Sequence, residues 1–229
     1  MLHSIVRTTN NVELSFFFVM LSFSYLILNR FTLWCSAPHE WYINRDMWLA
    51  PPFDEDEETT DRYDPLRLVI IAHTVSAECN RFINCAAELR NLQSYYAKNY
   101  GYDLPYNFMI GNDGRVYEAR GWNKVGAHTK GYNRCSLGLG LPSYAKVTPL
   151  QLERAKMLLE KGVQLGHLHP SYHVLGAKDL KPTASPGANL YKSILKRISR
   201  KRNDHYNMVY VGTCVSVLRS VHRKYYRRV

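Results

Sequence analysis

The sequence lacks an uninterrupted apolar run of the length of a membrane-spanning helix. Residues 14–28 form an uncharged stretch of fifteen residues, whereas a membrane-spanning helix needs about 20. This stretch follows a short segment that carries Arg7, and small residues at positions 35–37 come after it, as in a secretory signal peptide. Apolar residues resume at 31–34, which leaves a signal anchor open. Either alternative predicts that residues 1–37 lead to secretion or to the extracellular face of a membrane, and a cytosolic chain with a buried helix is the third possibility.

The body of the sequence lacks a basic patch, although the formal net charge is +11. Eleven Lys and Arg residues and a single acid, Asp204, follow position 191, so this segment carries +10 of the charge and residues 1–191 are close to neutral. The basic tail, residues 201–229, could contact nucleic acid or an anionic membrane. A solvated terminus is the simpler interpretation. We therefore expect no nucleic-acid partner.

An internal repeat and a disordered composition are also absent. A hydrophobic fraction of 46% and an aromatic fraction of 13% are ordinary for a globular domain. Five cysteines allow at most two intramolecular disulfides. The length of 229 residues suits one packed domain with appendages, and we place that domain at residues 38–200.

Strand and helix patterns alternate along this domain. Apolar runs and a hairpin signal at residues 112–114 predict strands, while apolar residues three to four apart predict helices. The predicted strands are residues 68–72, 106–110, 115–118 and 136–141, and the predicted helices are residues 85–100, 150–165 and a last one from Ser185 and Pro186 to about residue 198. Gly101 is suited to end the first helix, and Thr148 with Gln151 forms a capping box before the second. We expect an α/β fold with a mixed central sheet and helices packed on it.

Several motifs between Arg45 and Ile198 resemble, in order, those of the peptidoglycan recognition domain. They are Arg45-x-x-Trp48, residues 68–74 (LVIIAHT), Cys79-x5-Cys85, residues 106–122 (YNFMIGNDGRVYEARGW), residues 125–129 (VGAHT), residues 136–138 (SLG), residues 174–176 (VLG) and residues 185–191 (SPGANLY). The resemblance implies an amidase-like fold and a disulfide between Cys79 and Cys85. It also implies an innate immune receptor that binds bacterial peptidoglycan or muropeptides, and it leaves open protein partners or self-association on ligand binding.

The amidases of that family hold zinc with two His and one Cys, and the metal activates a water molecule. The resemblance places those ligands at Ala72, Ala177 and Ser185. A methyl group offers no lone pair and a neutral hydroxyl is a poor zinc ligand, so we predict no metal, no cofactor and no enzymatic activity. The remaining histidines lack metal spacing, and we expect surface or packing roles for them. His128 follows the hairpin, and His167, His169 and His173 fall in a predicted polar connection after the second helix.

The resemblance also implies a ligand-binding groove. Its candidate residues are His73, Thr74, Tyr96, Gly101, Tyr102, Tyr106, Arg120 and Trp122. Gly101 and Tyr102 stand where the family reads the third residue of the stem peptide, and Arg120 stands where members that select diaminopimelate carry an arginine. Diaminopimelate differs from lysine by one carboxylate, with which a guanidinium can pair through two hydrogen bonds.

Other interpretations of these residues stay open. Arg120 could be an exposed hairpin arginine, Tyr106 could fill the groove floor with no catalytic part, and for Trp122 core packing is favoured over stacking on a sugar. For the whole protein the alternatives are a receptor for diaminopimelate-type peptidoglycan, a decoy or regulator that does not bind, and an amidase of unusual mechanism.

Overall fold

The structure is a computed structural model that describes residues 40–53, 65–74, 76–142 and 147–197. The strands are β1 Tyr42–Ile43, β2 Leu66–His73, β3 Phe108–Ile110, β4 Val116–Glu118, β5 Ser136–Leu141 and β6 Leu168–Gly176, and the α-helices are α1 Phe82–Tyr100, α2 Pro149–Gln164 and α3 Ala188–Arg197. Short 3-10 turns cover Asn133–Cys135 and Ala177–Asp179. The predicted leader and basic tail lie outside the described residues. Within the described ranges, no helix has both the length and the apolar character needed to cross a membrane.

The strands form one sheet in the order β1-β4-β3-β5-β2-β6. β3 and β4 are antiparallel and form the predicted hairpin, whereas the pairs β1–β4, β3–β5, β5–β2 and β2–β6 are parallel. A mixed sheet with helices packed on it confirms the predicted fold class.

Side chains of β2 alternate between two buried cores on opposite faces of the sheet. Leu68, Ile70 and Ala72 belong to one core, which also contains residues of α1 and is called here the α1 core. Val69 and Ile71 belong to the other core, which contains residues of α2 and is called the α2 core. Because side chains along a strand alternate, Ala72 and its neighbour His73 point toward opposite faces.

The ends of the helices follow local signals in the sequence. Gly101 adopts φ = 74° after the last residue of α1, and its N–H donates to the carbonyl of Ala97 at 3.1 Å. This left-handed conformation favours glycine because it has no Cβ. Thr148 and Gln151 form the predicted capping box at the start of α2. The predicted disulfide between Cys79 and Cys85 is present and joins the first turn of α1 to the segment before it.

Two strands were not predicted, and one of them corrects the placement of the histidines. The predicted polar connection after the second helix is wrong, because His169 and His173 lie within β6 and His167 directly precedes it. β6 is an edge strand of the sheet. An edge strand needs hydrogen-bonding partners on one side alone, so it tolerates Pro170 and several polar residues that hide its strand pattern. β1 contains two residues and carries no periodic signal.

Candidate functional site

The three positions that resemble zinc-ligand positions meet where β2 and β6 end. Ile71 of β2 pairs with Gly176 of β6, so Ala72 and Ala177 follow at adjacent strand ends. Both alanines belong to the α1 core and are 7% and 2% exposed. Ser185 joins them, because its Oγ accepts a hydrogen bond of 3.0 Å from the N–H of His73 and its carbonyl accepts one of 2.8 Å from the N–H of Lys178.

The chemistry of this trio does not fit a zinc ion. Zinc sites are built from thiolate, imidazole and carboxylate groups, whereas the trio offers two methyl groups and one neutral hydroxyl. The hydroxyl oxygen of Ser185 already accepts the His73 N–H, and the serine is 9% exposed. Throughout the described part of the chain, no three His, Cys, Asp or Glu side chains gather closely enough to hold a metal.

Tyr106 is buried in the same core as the two alanines of this trio and is 8% exposed. A Cβ on Gly140 of β5 would lie 2.8 Å from the ring of Tyr106, so the glycine is needed to seat that ring against the strand. Burial raises the pKa of Tyr106 well above its usual value of 10.0, and the phenols of Tyr96 and Tyr102 add to the shift. The phenol is therefore neutral at physiological pH and can take part in hydrogen bonding, not in base catalysis.

His128 lies beside Tyr106, which the sequence did not indicate. The two rings stack with centroids 6.3 Å apart and an angle of 17° between their planes. A Cβ on either Gly126 or Gly138 would come within 2.5 Å of the His128 ring, so two glycines from separate segments form its seat. The only signal in the sequence was that His128 and Gly126 belong to the VGAHT segment, since Tyr106 and Gly138 lie in other segments.

Four tyrosines form a cluster around the end of α1, and we call Tyr95, Tyr96, Tyr100 and Tyr102 the tyrosine cluster. Tyr102 stacks on Tyr96 and on Tyr100, with centroid distances of 5.8 and 5.6 Å. Tyr95 and Tyr100 are 51% and 56% exposed, so the cluster presents aromatic surface to solvent. Tyr96 and Tyr102 were predicted site residues, whereas Tyr95 and Tyr100 were not.

Arg120 reaches the same region from the end of the hairpin. Burial and the phenol of Tyr100 raise the pKa of Tyr102, and the nearby charge of Arg120 opposes that shift. The guanidinium of Arg120 also donates hydrogen bonds to three backbone carbonyls, which was not predicted. Its Nε donates to the carbonyl of Leu104 at 2.6 Å, its Nη1 to the carbonyl of Val125 at 3.0 Å and its Nη2 to the carbonyl of Asp103 at 3.3 Å. Arg120 is thus a half-buried, hydrogen-bonded side chain and not an exposed hairpin arginine.

Thr74 and Trp122, two further predicted site residues, lie in different places relative to Tyr106. Thr74 follows β2, and its Oγ1 lies 2.7 Å from the Oγ of Ser76. Trp122 packs against the α2 core, on the other face of the sheet from Tyr106. Its ring centroid lies 4.6 Å from that of Phe108 and 5.2 Å from that of His167, in a parallel stack with the histidine. The structure therefore brings Tyr96, Tyr102, Tyr106 and Arg120 together and leaves Trp122 apart.

Comparison with known proteins identifies the family. A family model described as N-acetylmuramoyl-L-alanine amidase matches residues 62–188. A peptidoglycan recognition protein from Trichoplusia ni is 44% identical over 146 residues, which covers 62% of this chain and 77% of the relative.

Solved structures give the same result. The ectodomain complex of the peptidoglycan recognition proteins LCa and LCx bound to tracheal cytotoxin contains a chain that is 38% identical, with a TM-score of 0.64 and coverage of 68% of this chain and 95% of that one. Peptidoglycan recognition protein LE in complex with tracheal cytotoxin, a monomeric diaminopimelic acid-type peptidoglycan, is 34% identical with the same TM-score and coverage of 68% and 93%. The chain therefore belongs to the peptidoglycan recognition protein family.

Proposed function

We propose that this protein is an innate immune receptor that binds bacterial peptidoglycan of the diaminopimelate type and has no amidase activity. One observation carries the proposal: Ala72, Ala177 and Ser185 offer no good zinc ligand, and stacked tyrosines and Arg120 lie near them. Without zinc ligands the protein lacks the metal that amide hydrolysis uses in this family. The tyrosines and Arg120 supply groups that can bind a peptide. Two related structures hold tracheal cytotoxin, which supports this ligand class.

We propose that amidase activity is absent because the reaction depends on a bound zinc ion. Hydrolysis of an amide at neutral pH needs an activated water molecule and stabilisation of charge on the carbonyl oxygen, both of which a zinc ion supplies. Ala72 and Ala177 cannot bind a metal. The phenol of Tyr106 cannot replace the metal, because its raised pKa keeps it protonated at neutral pH and a protonated phenol cannot take a proton from water.

Selection of diaminopimelate is the finer part of the proposal. Tyr102 offers an aromatic face and a hydroxyl, and Arg120 offers a permanent positive charge beside it. Three backbone carbonyls accept hydrogen bonds from the guanidinium and fix its orientation. We propose that the extra carboxylate of diaminopimelate binds at the edge of the guanidinium next to Tyr102, where lysine-type peptide has no matching group.

The setting of the receptor is proposed from the leader and from one related assembly. The composition of residues 1–37 favours secretion or display on the extracellular face of a membrane. One related structure is a complex of two peptidoglycan recognition proteins bound to tracheal cytotoxin. We therefore propose that this chain meets a protein partner, or a second copy of itself, when ligand is bound.

One observation favours a second candidate, a family member that regulates without selecting a ligand. Arg120 donates to three backbone carbonyls, so it has a structural role even in a protein that binds no ligand. Titration of the purified domain with diaminopimelate-type and lysine-type muropeptides separates the candidates. The receptor should bind the first ligand more tightly, whereas the regulator should bind neither. Equal affinity for the two ligands would contradict the selectivity.

A further inference from the structure

Asp103 is held by two arginines, one through its side chain and one through its main-chain carbonyl. It is 7% exposed, and its Oδ2 lies 2.8 Å from the Nη1 of Arg45. Its Oδ1 accepts a hydrogen bond of 2.7 Å from the N–H of Leu104, and its main-chain carbonyl accepts one from the Nη2 of Arg120 at 3.3 Å. The residue directly after Tyr102 is therefore fixed both through its side chain and through its backbone.

The two arginines connect the same two segments of the chain. The Nη1 of Arg45 donates to the carbonyl of Ala119 at 2.6 Å as well as to Asp103. Arg120 belongs to the segment that contains Ala119, and it donates to the carbonyls of Asp103 and Leu104. Arg45 thus holds together the segment that carries Tyr102 and the segment that carries Arg120.

We propose that Arg45 and Asp103 are positioning residues for ligand selection, which rests on the proposed function of Tyr102 and Arg120. Their ion pair sets the distance and angle between the Tyr102 ring and the Arg120 guanidinium. Neither residue binds the ligand. A carboxylate that accepts two directed hydrogen bonds from a guanidinium requires close placement, whereas binding of an alkyl chain to an aromatic ring tolerates small shifts. Loosening the ion pair should therefore weaken diaminopimelate-type binding more than lysine-type binding.

The test uses Asp103→Asn, which keeps the side-chain size and an acceptor for the Leu104 N–H but removes the charge that faces Arg45. A matched control is Asp113→Asn. Asp113 lies in the turn between β3 and β4, at the opposite end of this hairpin from Arg120. Asp113 is similarly paired, with its Oδ2 2.9 Å from the Nη1 of Arg115. Arg45→Lys serves as the conservative variant, because it keeps the charge but cannot spread several donors over one plane. The full chain is titrated with both muropeptides by calorimetry, and the melting temperature of each variant is measured.

The ratio of the two dissociation constants is the decisive quantity. We expect Asp103→Asn to reduce the preference for diaminopimelate about threefold to tenfold, the size of effect typical of residues that act through a contact network. Asp113→Asn should lower the melting temperature with the preference unchanged, and Arg45→Lys should retain part of the preference. If Asp103→Asn keeps the wild-type preference for diaminopimelate, the positioning role of Arg45 and Asp103 is wrong and the proposed selectivity still stands. A wild type without any preference would overturn the proposed selectivity, and this inference with it.

Discussion

The backbone N–H of His73 donates a hydrogen bond of 3.0 Å to the Oγ of Ser185, across 112 residues of sequence. Ser185 Oγ is the only side-chain heteroatom among the three positions that resemble zinc-ligand positions, and it accepts a hydrogen bond from the end of β2. The same contact holds the segment before α3 against the sheet. Ser185 has a structural role at the position where the family resemblance implies a cysteine that binds zinc.

Restoring the metal ligands should require all three positions at once. Ala72, Ala177 and Ser185 already meet at one point, so Ala72→His, Ala177→His and Ser185→Cys together should create a site for about one zinc ion per chain. Any single replacement should not, because one protein ligand binds zinc weakly in water. Metal analysis after dialysis against zinc checks this. Stoichiometric zinc in the wild type, or none in a folded triple variant, would contradict our assignment of these positions.

Removing the disulfide should lower the stability of the domain without abolishing its fold. Cys79 and Cys85 close a short loop, so replacing both with serine should cost no more than the ~2–4 kcal/mol that is usual for a disulfide. Urea denaturation of the wild type and the double variant measures the difference in the free energy of unfolding. Peptide mapping without reductant should recover the two cysteines as one linked peptide. Two free thiols in the oxidised wild type would refute the prediction.

Replacing Arg120 should affect the two ligands unequally. A hydrogen-bonded charge pair contributes about 1.5–3 kcal/mol, so Arg120→Ala should weaken diaminopimelate-type binding by about ten- to a hundredfold and lysine-type binding little. The variant should also melt at a lower temperature, since three carbonyls lose their donor. Arg120→Lys should restore part of the affinity, because it keeps the charge but not the planar fork. Equal losses for both ligands would show that Arg120 only braces the fold.

The buried phenol of Tyr106 should make the domain less stable at alkaline pH. Its pKa is raised in the folded state, so its contribution to stability is fully present below pH 10 and is lost as the pH rises from the unfolded value of 10.0 toward the folded one. Tyr106→Phe should reduce the alkaline pH dependence by about one proton released on unfolding above pH 10, while other tyrosines with raised pKa values keep their part of it. Urea denaturation of both proteins between pH 8 and 11 measures the two slopes. Identical slopes would show that Tyr106 ionises as easily when folded as when unfolded.

Local signals predicted much of the fold. The apolar run of β2, the glycine that ends α1 and the capping box of α2 each depend on residues that are close in sequence. The hairpin of β3 and β4 likewise followed from its turn residues. These features could be predicted because short-range backbone preferences determine them. β6 could not, because its strand pattern is interrupted by Pro170 and by histidines that an edge strand tolerates.

The site was harder to predict because its geometry depends on contacts between distant segments. The family resemblance placed Tyr102, Tyr106 and Arg120 in one groove, and the structure brings them together. The hydrogen bonds of Arg120 go to backbone carbonyls, which side-chain patterns do not reveal. The position of His128 depends on Gly138 of β5, a separate segment whose contact with the histidine no local pattern reveals.

The most direct test of a receptor without catalysis is one titration followed by recovery of the ligand. The wild-type chain is titrated with a diaminopimelate-type muropeptide in the presence of zinc, and after prolonged incubation the ligand is analysed by mass spectrometry. The account predicts saturable binding and a muropeptide that stays intact, with its stem peptide still joined to the sugar. Release of the stem peptide, or no binding at all, would contradict it.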